Sequence, residues 1–178
     1  MTYVAMLRGI NVGGKHSLPM QHLAKIFTEC GCADVRAYIQ SGNVVFTAPC
    51  KVATEVPATA AKTIEGQFGF AAPVILRTMD EMTAVVRRNP FLKAGLPEIS
   101  LHVCFLAEQP STEAVRTLDP DRSPPDQFQV VGREIYLHTP NGMGRTKLTN
   151  AYFDSRLSTI GTARNWATVL KLLELMQS

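Results

Sequence analysis

Residues 35–48 read V-R-A-Y-I-Q-S-G-N-V-V-F-T-A, and the fold follows from how this stretch is read. Two runs rich in β-branched and aromatic residues flank Ser41-Gly42-Asn43, where Gly and Asn tolerate a positive φ, so the segment predicts an antiparallel hairpin. Ahead of it, Y-V-A-M-L-R at 3–8 predicts a strand and Gly9 to Ser17 a glycine loop. Pro19 then opens a helix whose Met20, Leu23, Ala24 and Phe27 recur at helical spacing, and Gly31 stops it. Behind the hairpin, a helix from Val52 to Phe68 sets Val56, Ala60, Ile64 and Phe68 on one stripe, and A-P-V-I-L-R at 72–77 predicts another strand. The order is βαββαβ, the ferredoxin-like arrangement in which two helices cover one face of an antiparallel sheet.

A linking helix from Asp80 to Arg88 breaks at Asn89-Pro90, and the pattern restarts. Strand S-L-H-V-C-F-L, a helix from Ser111 to Leu118, strands Q-F-Q-V-V and E-I-Y-L-H across Gly132-Arg133, and a helix from Thr146 to Leu157 follow in turn. The second half shows no clear sixth strand and ends in a helix from Ala163 to Met176, with Trp166 on its apolar face. The expected fold class is α+β: two ferredoxin-like halves in tandem, antiparallel sheets covered by helices, and an extra C-terminal helix. The halves are residues 1–79 and 100–178, joined by 80–99. The Pro- and Asp-rich loop at 119–126 reads as the most flexible segment.

Composition narrows the function classes. The chain has 178 residues, 46% hydrophobic and 19% charged, an ordinary globular balance with enough length for a core without disulfides. Eighteen Lys and Arg against fifteen Asp and Glu leave +3, too little to attract nucleic acid in general. No signal-peptide core or membrane-spanning run is visible, so a soluble, cytoplasmic protein without membrane partners is expected. Cys30 and Cys32 are too close in sequence for an easy mutual bridge and Cys104 sits in an apolar run, which points to reduced thiols. His16, His22, His102 and His138 are scattered away from the cysteines, so no metal is expected. Neither a cofactor nor an oligomeric state can be read.

The chemistry-bearing residues gather in a few places. Gly9-Ile10-Asn11-Val12-Gly13-Gly14-Lys15-His16 fits G-x-x-x-x-G-K after a strand, but His16 replaces the Ser or Thr that a P-loop uses to hold magnesium. Ser41 lacks the first glycine of a nucleophile elbow, and Cys30 and Cys32 lie at a helix C-terminus, where the dipole disfavours a thiolate. G-N-V-V-F-T-A matches an RNA-binding strand motif only in its V-x-F spacing. Two helix starts break a rule: with Thr146 and Thr162 as N-caps, Lys147 and Arg164 fall in first turns, where the dipole favours an anion. Cations and free amides directed at one place suit a phosphate or carboxylate.

L-R-G-I-N-V-G-G-K near the start, Y-I-Q-S-G-N-V-V-F around residue 42, G-R-T-K-L-T at 144–149 and T-A-R-N-W-A-T-V-L-K-L at 162–172 closely resemble the bacterial domain-of-unknown-function 1697 family. The resemblance implies a cytosolic α+β protein with paired ferredoxin-like halves, and it implies no established activity or cofactor. Its motifs coincide with the residues singled out above. The resulting expectation is a small anionic ligand, a nucleotide or phosphorylated metabolite, bound between the two halves by Arg8, Asn11, Gly13, Gly14, Lys15, Ser41, Gly42, Asn43, Arg145, Thr146, Lys147, Arg164 and Asn165. Two alternatives stand beside it. One is a single-stranded nucleic-acid binding module using the same cations; the other is a structural or partner-binding protein in which these motifs only shape turns. No catalytic residue and no reaction can be named.

Overall fold

The computed structural model describes all of residues 1–178. By internal contacts the chain forms two compact units, Met1–Thr83 with Leu172–Ser178, and Ala84–Lys171. In the first unit β1 (Thr2–Leu7), α1 (Met20–Glu29), β2 (Ala33–Tyr38), β3 (Asn43–Thr47), α2 (Cys50–Phe68) and β4 (Val74–Thr78) follow in that order. The sheet runs β2-β3-β1-β4, antiparallel throughout, which is the expected ferredoxin-like order. Alternate residues of each strand face α1 and α2: Ala5, Leu7 and Phe46 pack with Leu23, Phe27, Val56 and Ile64. Val4, Met6, Val45 and Ile75, on the other face, are buried as well. That double burial explains why these strands read as continuous apolar runs.

Two further helices, α3 (Met79–Arg88) and the short α4 (Pro90–Lys93), lead by a 3₁₀ turn at Glu98–Ser100 into the second sheet. There β5 (Leu101–Leu106), α5 (Thr112–Arg116), β6 (Gln127–Val131), β7 (Glu134–His138), α6 (Asn150–Leu157) and β8 (Gly161–Asn165) precede the terminal α7 (Trp166–Gln177). The order β6-β7-β5-β8 repeats that of the first sheet, again fully antiparallel. Cys104, Leu106, Ile135 and Leu137 pack with Leu148, Phe153 and Leu157.

The sequence reading needs three corrections here. The second half does have its sixth strand: Gly161–Asn165 pairs with β5 from Leu106↔Gly161 to His102↔Asn165. Thr162 and Arg164 therefore lie in a strand, and α7 starts at Trp166 with Asn165 as its cap, its Oδ1 accepting the Thr168 amide at 2.8 Å. Likewise α6 is capped by Thr149, which accepts the Tyr152 amide at 3.2 Å, so Thr146 and Lys147 precede the helix. Neither Lys147 nor Arg164 sits in a helical first turn, and the conflict between cation and dipole that suggested an anion site is absent. In the hairpin, the left-handed positions are Ile39 (φ 49°) and Gly42 (φ 80°); Asn43 is already strand.

Candidate functional site

The glycine loop is a miniature hairpin. Val12 and Lys15 bridge across Gly13 and Gly14, whose φ values of 57° and 71° give the two consecutive left-handed residues of a type I′ turn. Such a turn points its glycine amides outward and does not wrap them around one centre, which rules out the P-loop geometry. Gly13, Gly14 and Lys15 are all exposed, and no hydrogen bond occupies the glycine amides. The turn is held at its base. Asn11 Nδ2 donates to Leu18 O (3.0 Å) and Gln40 O (2.9 Å), while its Oδ1 accepts the Leu18 amide at 2.8 Å. His16 Nδ1 donates to Gly9 O at 2.9 Å, and its ring stacks on Phe70 with centroids 4.6 Å apart. Phe68 lies 6.3 Å from Phe70, so a half-buried aromatic strip continues from the turn.

The structure brings the Ser41 hairpin to this loop. Gly42 O accepts the Leu7 amide at 2.8 Å, and Ile10 packs directly over Gly42. Asn43 is fully buried, its Nδ2 donating to Tyr38 O at 3.1 Å and Ser41 Oγ at 3.0 Å. Asn11, Ser41, Gly42 and Asn43 thus have their polar groups or their space committed to holding two loops together. Arg8, half-buried, donates its backbone amide to Pro73 O at 3.0 Å and anchors the start of the loop.

In the second unit, Arg145 and Lys147 are exposed and make no ion pair, on a loop whose backbone is fixed. Ser123 Oγ donates to Asp126 Oδ2 at 2.8 Å and accepts the Lys147 amide at 3.0 Å; Thr146 Oγ1 accepts the Leu148 amide at 3.1 Å. Arg122 donates to Lys147 O at 3.0 Å and lies 4.0 Å above the Tyr152 ring, whose hydroxyl accepts the Asp119 amide at 2.9 Å. The 119–126 segment, expected to be flexible, is pinned through these bonds to the G-R-T-K-L-T motif. Arg164 is different in kind. It is 7% exposed, donates to Thr162 Oγ1 (2.8 Å) and Ala163 O (2.9 Å), and burial lowers its pKa to about 10. Asn165 caps α7, and Trp166, 1% exposed, is core as expected.

No group of His, Cys, Asp and Glu is arranged to hold a metal ion. All four cysteines are free thiols, and burial pushes the Cys32 thiol up to about 11, opposite to what a nucleophile needs. No helix is long and apolar enough to cross a membrane. Sequence reasoning missed the His16–Phe70 stack, which depends on residues 54 positions apart, and a groove of about 450 Å³ in the second unit beside β6.

A family model described as a protein of unknown function, DUF1697, matches residues 1–136. Among solved structures, the conserved bacterial protein SP0830 from Streptococcus pneumoniae is similar, with a TM-score of 0.72 at 21% identity over 98% of each chain. At that identity the likeness shows the fold. No curated protein matches the chain.

Proposed function

We propose, from the premise that the chain belongs to this family of proteins of unknown function, that it binds a small anionic ligand, a nucleotide or a phosphorylated metabolite, at the glycine turn. The observation that carries the reading is the turn itself: an exposed ammonium and two unbonded glycine amides, held in place by the side chains of Asn11 and His16. A rigid element that presents unsatisfied donors to solvent is suited to an anion, because binding then costs little ordering entropy. Lys15 supplies the charge and Gly13 and Gly14 the amides, with Arg8 at the base of the loop. Arg145 and Lys147 are a pair of exposed cations on a pinned loop and are assigned the same kind of role. The buried or bonded motif residues (Asn11, Ser41, Gly42, Asn43, Thr146, Arg164 and Asn165) support the scaffold.

The strip formed by His16, Phe70 and Phe68 favours a ligand with a planar base over a phosphorylated sugar. It also motivates the second reading, single-stranded nucleic acid, since stacking on aromatic rings beside cations is how such strands are bound. Calorimetric titration at low salt with nucleotides, sugar phosphates and short oligonucleotides separates the cases. Lys15→Ala is expected to weaken nucleotide binding about tenfold, within the range for losing a charge-assisted bond, with no change in melting temperature. Unchanged binding in Lys15→Ala and in Arg145→Ala refutes the assignment. Affinity found only for oligonucleotides, falling steeply with salt, selects the second reading.

A further inference from the structure

The groove in the second unit is lined by Gln127, Phe128 and Gln129 of β6, with Phe91, Asp121 and Pro125 among its other lining residues. β6 is the last strand of its sheet and pairs only with β7. Val131 and Glu134 close the two-residue turn at Gly132–Arg133, and alternation counted back from that pair turns the amides of Phe128 and Val130 outward. No other part of the chain hydrogen-bonds to them.

The equivalent strand of the first unit is treated differently. β2 is bulged between Ala33 and Arg36, with Asp34 at φ 50°, and the Arg36 side chain is tied to Leu175 O and Ser178 Oγ, both at 2.6 Å. Bulges and charges on an edge strand are the usual means of blocking further pairing. β6 has neither: its register with β7 is regular over five residues, and it contains no Lys, Arg or Pro. The one edge is closed and the other is open.

The groove also has a sign. Its only charged residues are Asp121, which is exposed, and Asp126, whose buried carboxylate already accepts from Ser123 Oγ, while the neighbouring Arg122 is directed to Lys147 O and the Tyr152 ring.

We propose that β6 accepts an extended, basic segment of a partner protein as an additional strand. Main-chain bonds to Phe128 and Val130 give the affinity. Lys or Arg side chains on one side of the segment meet the exposed Asp121, and alternate apolar side chains rest on Phe91 and Pro125. A second copy of this chain fits less well, because pairing β6 with its own copy would bring two acidic walls together.

Five residues at about 3.3 Å each span the strand, so a pentapeptide is a sufficient probe. Hydrogen exchange of the full chain is followed with capped Lys-Val-Lys-Val-Lys at millimolar concentration and with its Glu-Val-Glu-Val-Glu counterpart. The lysine peptide slows exchange at Phe128 and Val130, the glutamate peptide does not, and N-methylation of the lysine peptide abolishes the effect. Asp121→Lys, an exposed change, weakens binding several-fold and flattens its salt dependence. Equal protection by the glutamate peptide, or none by the lysine peptide, overturns the proposal. So does protection that grows with protein concentration alone, which marks pairing between copies.

Discussion

At Gly42 a single missing methyl holds two loops together. Its φ is 80°, and a Cβ built there would stand 2.6 Å from Ile10 Cδ1 and 3.0 Å from Leu7 Cβ. Ile10 is 1% exposed and cannot swing into solvent without emptying the space it fills. Gly42→Ala must therefore both leave a favourable backbone conformation and displace a core side chain. The expected loss is about 2–4 kcal/mol, the sum of the conformational and overpacking terms, read from the urea midpoint at constant slope. A loss below about 0.5 kcal/mol would mean that Ile10 relaxes freely and that the interlock of hairpin and glycine loop is loose. The same reasoning separates motif residues that hold the scaffold from those that face solvent. Asn43 is as prominent in sequence as Lys15, yet only Lys15 has its functional group exposed and unbonded.

Among the elements, α2 breaks a local rule in the open. Pro57 stands well inside this 19-residue helix, where it removes one backbone bond and crowds the carbonyl four residues earlier. The helix forms because Ala53, Val56, Ala60 and Ile64 bury one face against the sheet. Pro57→Ala should thus stabilise the chain by about 1–3 kcal/mol, less than the full proline penalty because the unfolded chain also gains freedom. A lower urea midpoint in that variant would show that the helix has adapted its packing to the proline. Elements of this kind were legible in the sequence because their signal is local: a 3.6-residue stripe for α2, alternation and a turn for β2 and β3. β8 was not. G-T-A-R-N has a buried arginine next to its end, Thr162 reads as a helix cap, and what places both residues in a strand is pairing with β5, about 60 residues away. One signal could have found it: Arg77 in β4 faces Val4 as Arg164 in β8 faces Val103, and each donates to the preceding carbonyl. L-R-T and A-R-N end the last strand of each half. Comparing the halves residue by residue, and not only by element order, places Thr162 and Arg164 in a strand. The open edge at β6 escaped the same reading, since whether an edge is covered is a property of the sheet and not of the strand.

Across the whole molecule, the chain leaves the first unit after Thr83 and returns to it at Leu172. The returning segment completes that unit. Leu172 is fully buried, Met176 is 4% exposed, and the Arg36 guanidinium gives two of its N–H groups to Leu175 O and Ser178 Oγ while its Nε already lacks a partner. A chain ended after Lys171 loses the apolar contacts and leaves a half-buried charge without acceptors. The expected destabilisation is at least about 3 kcal/mol, combining a lost core side chain with unmade bonds to a charged group. It should appear in hydrogen exchange as faster opening of β2 and β3 than of β6 and β7. The two contributions can be separated, because removing an orphaned charge is favourable where removing a paired one is not. Arg36→Met should recover part of the loss in the shortened chain and should destabilise the complete one. If the substitution has the same effect in both backgrounds, the two sites are uncoupled and the bonds from Arg36 to the C-terminal residues contribute nothing to the fold.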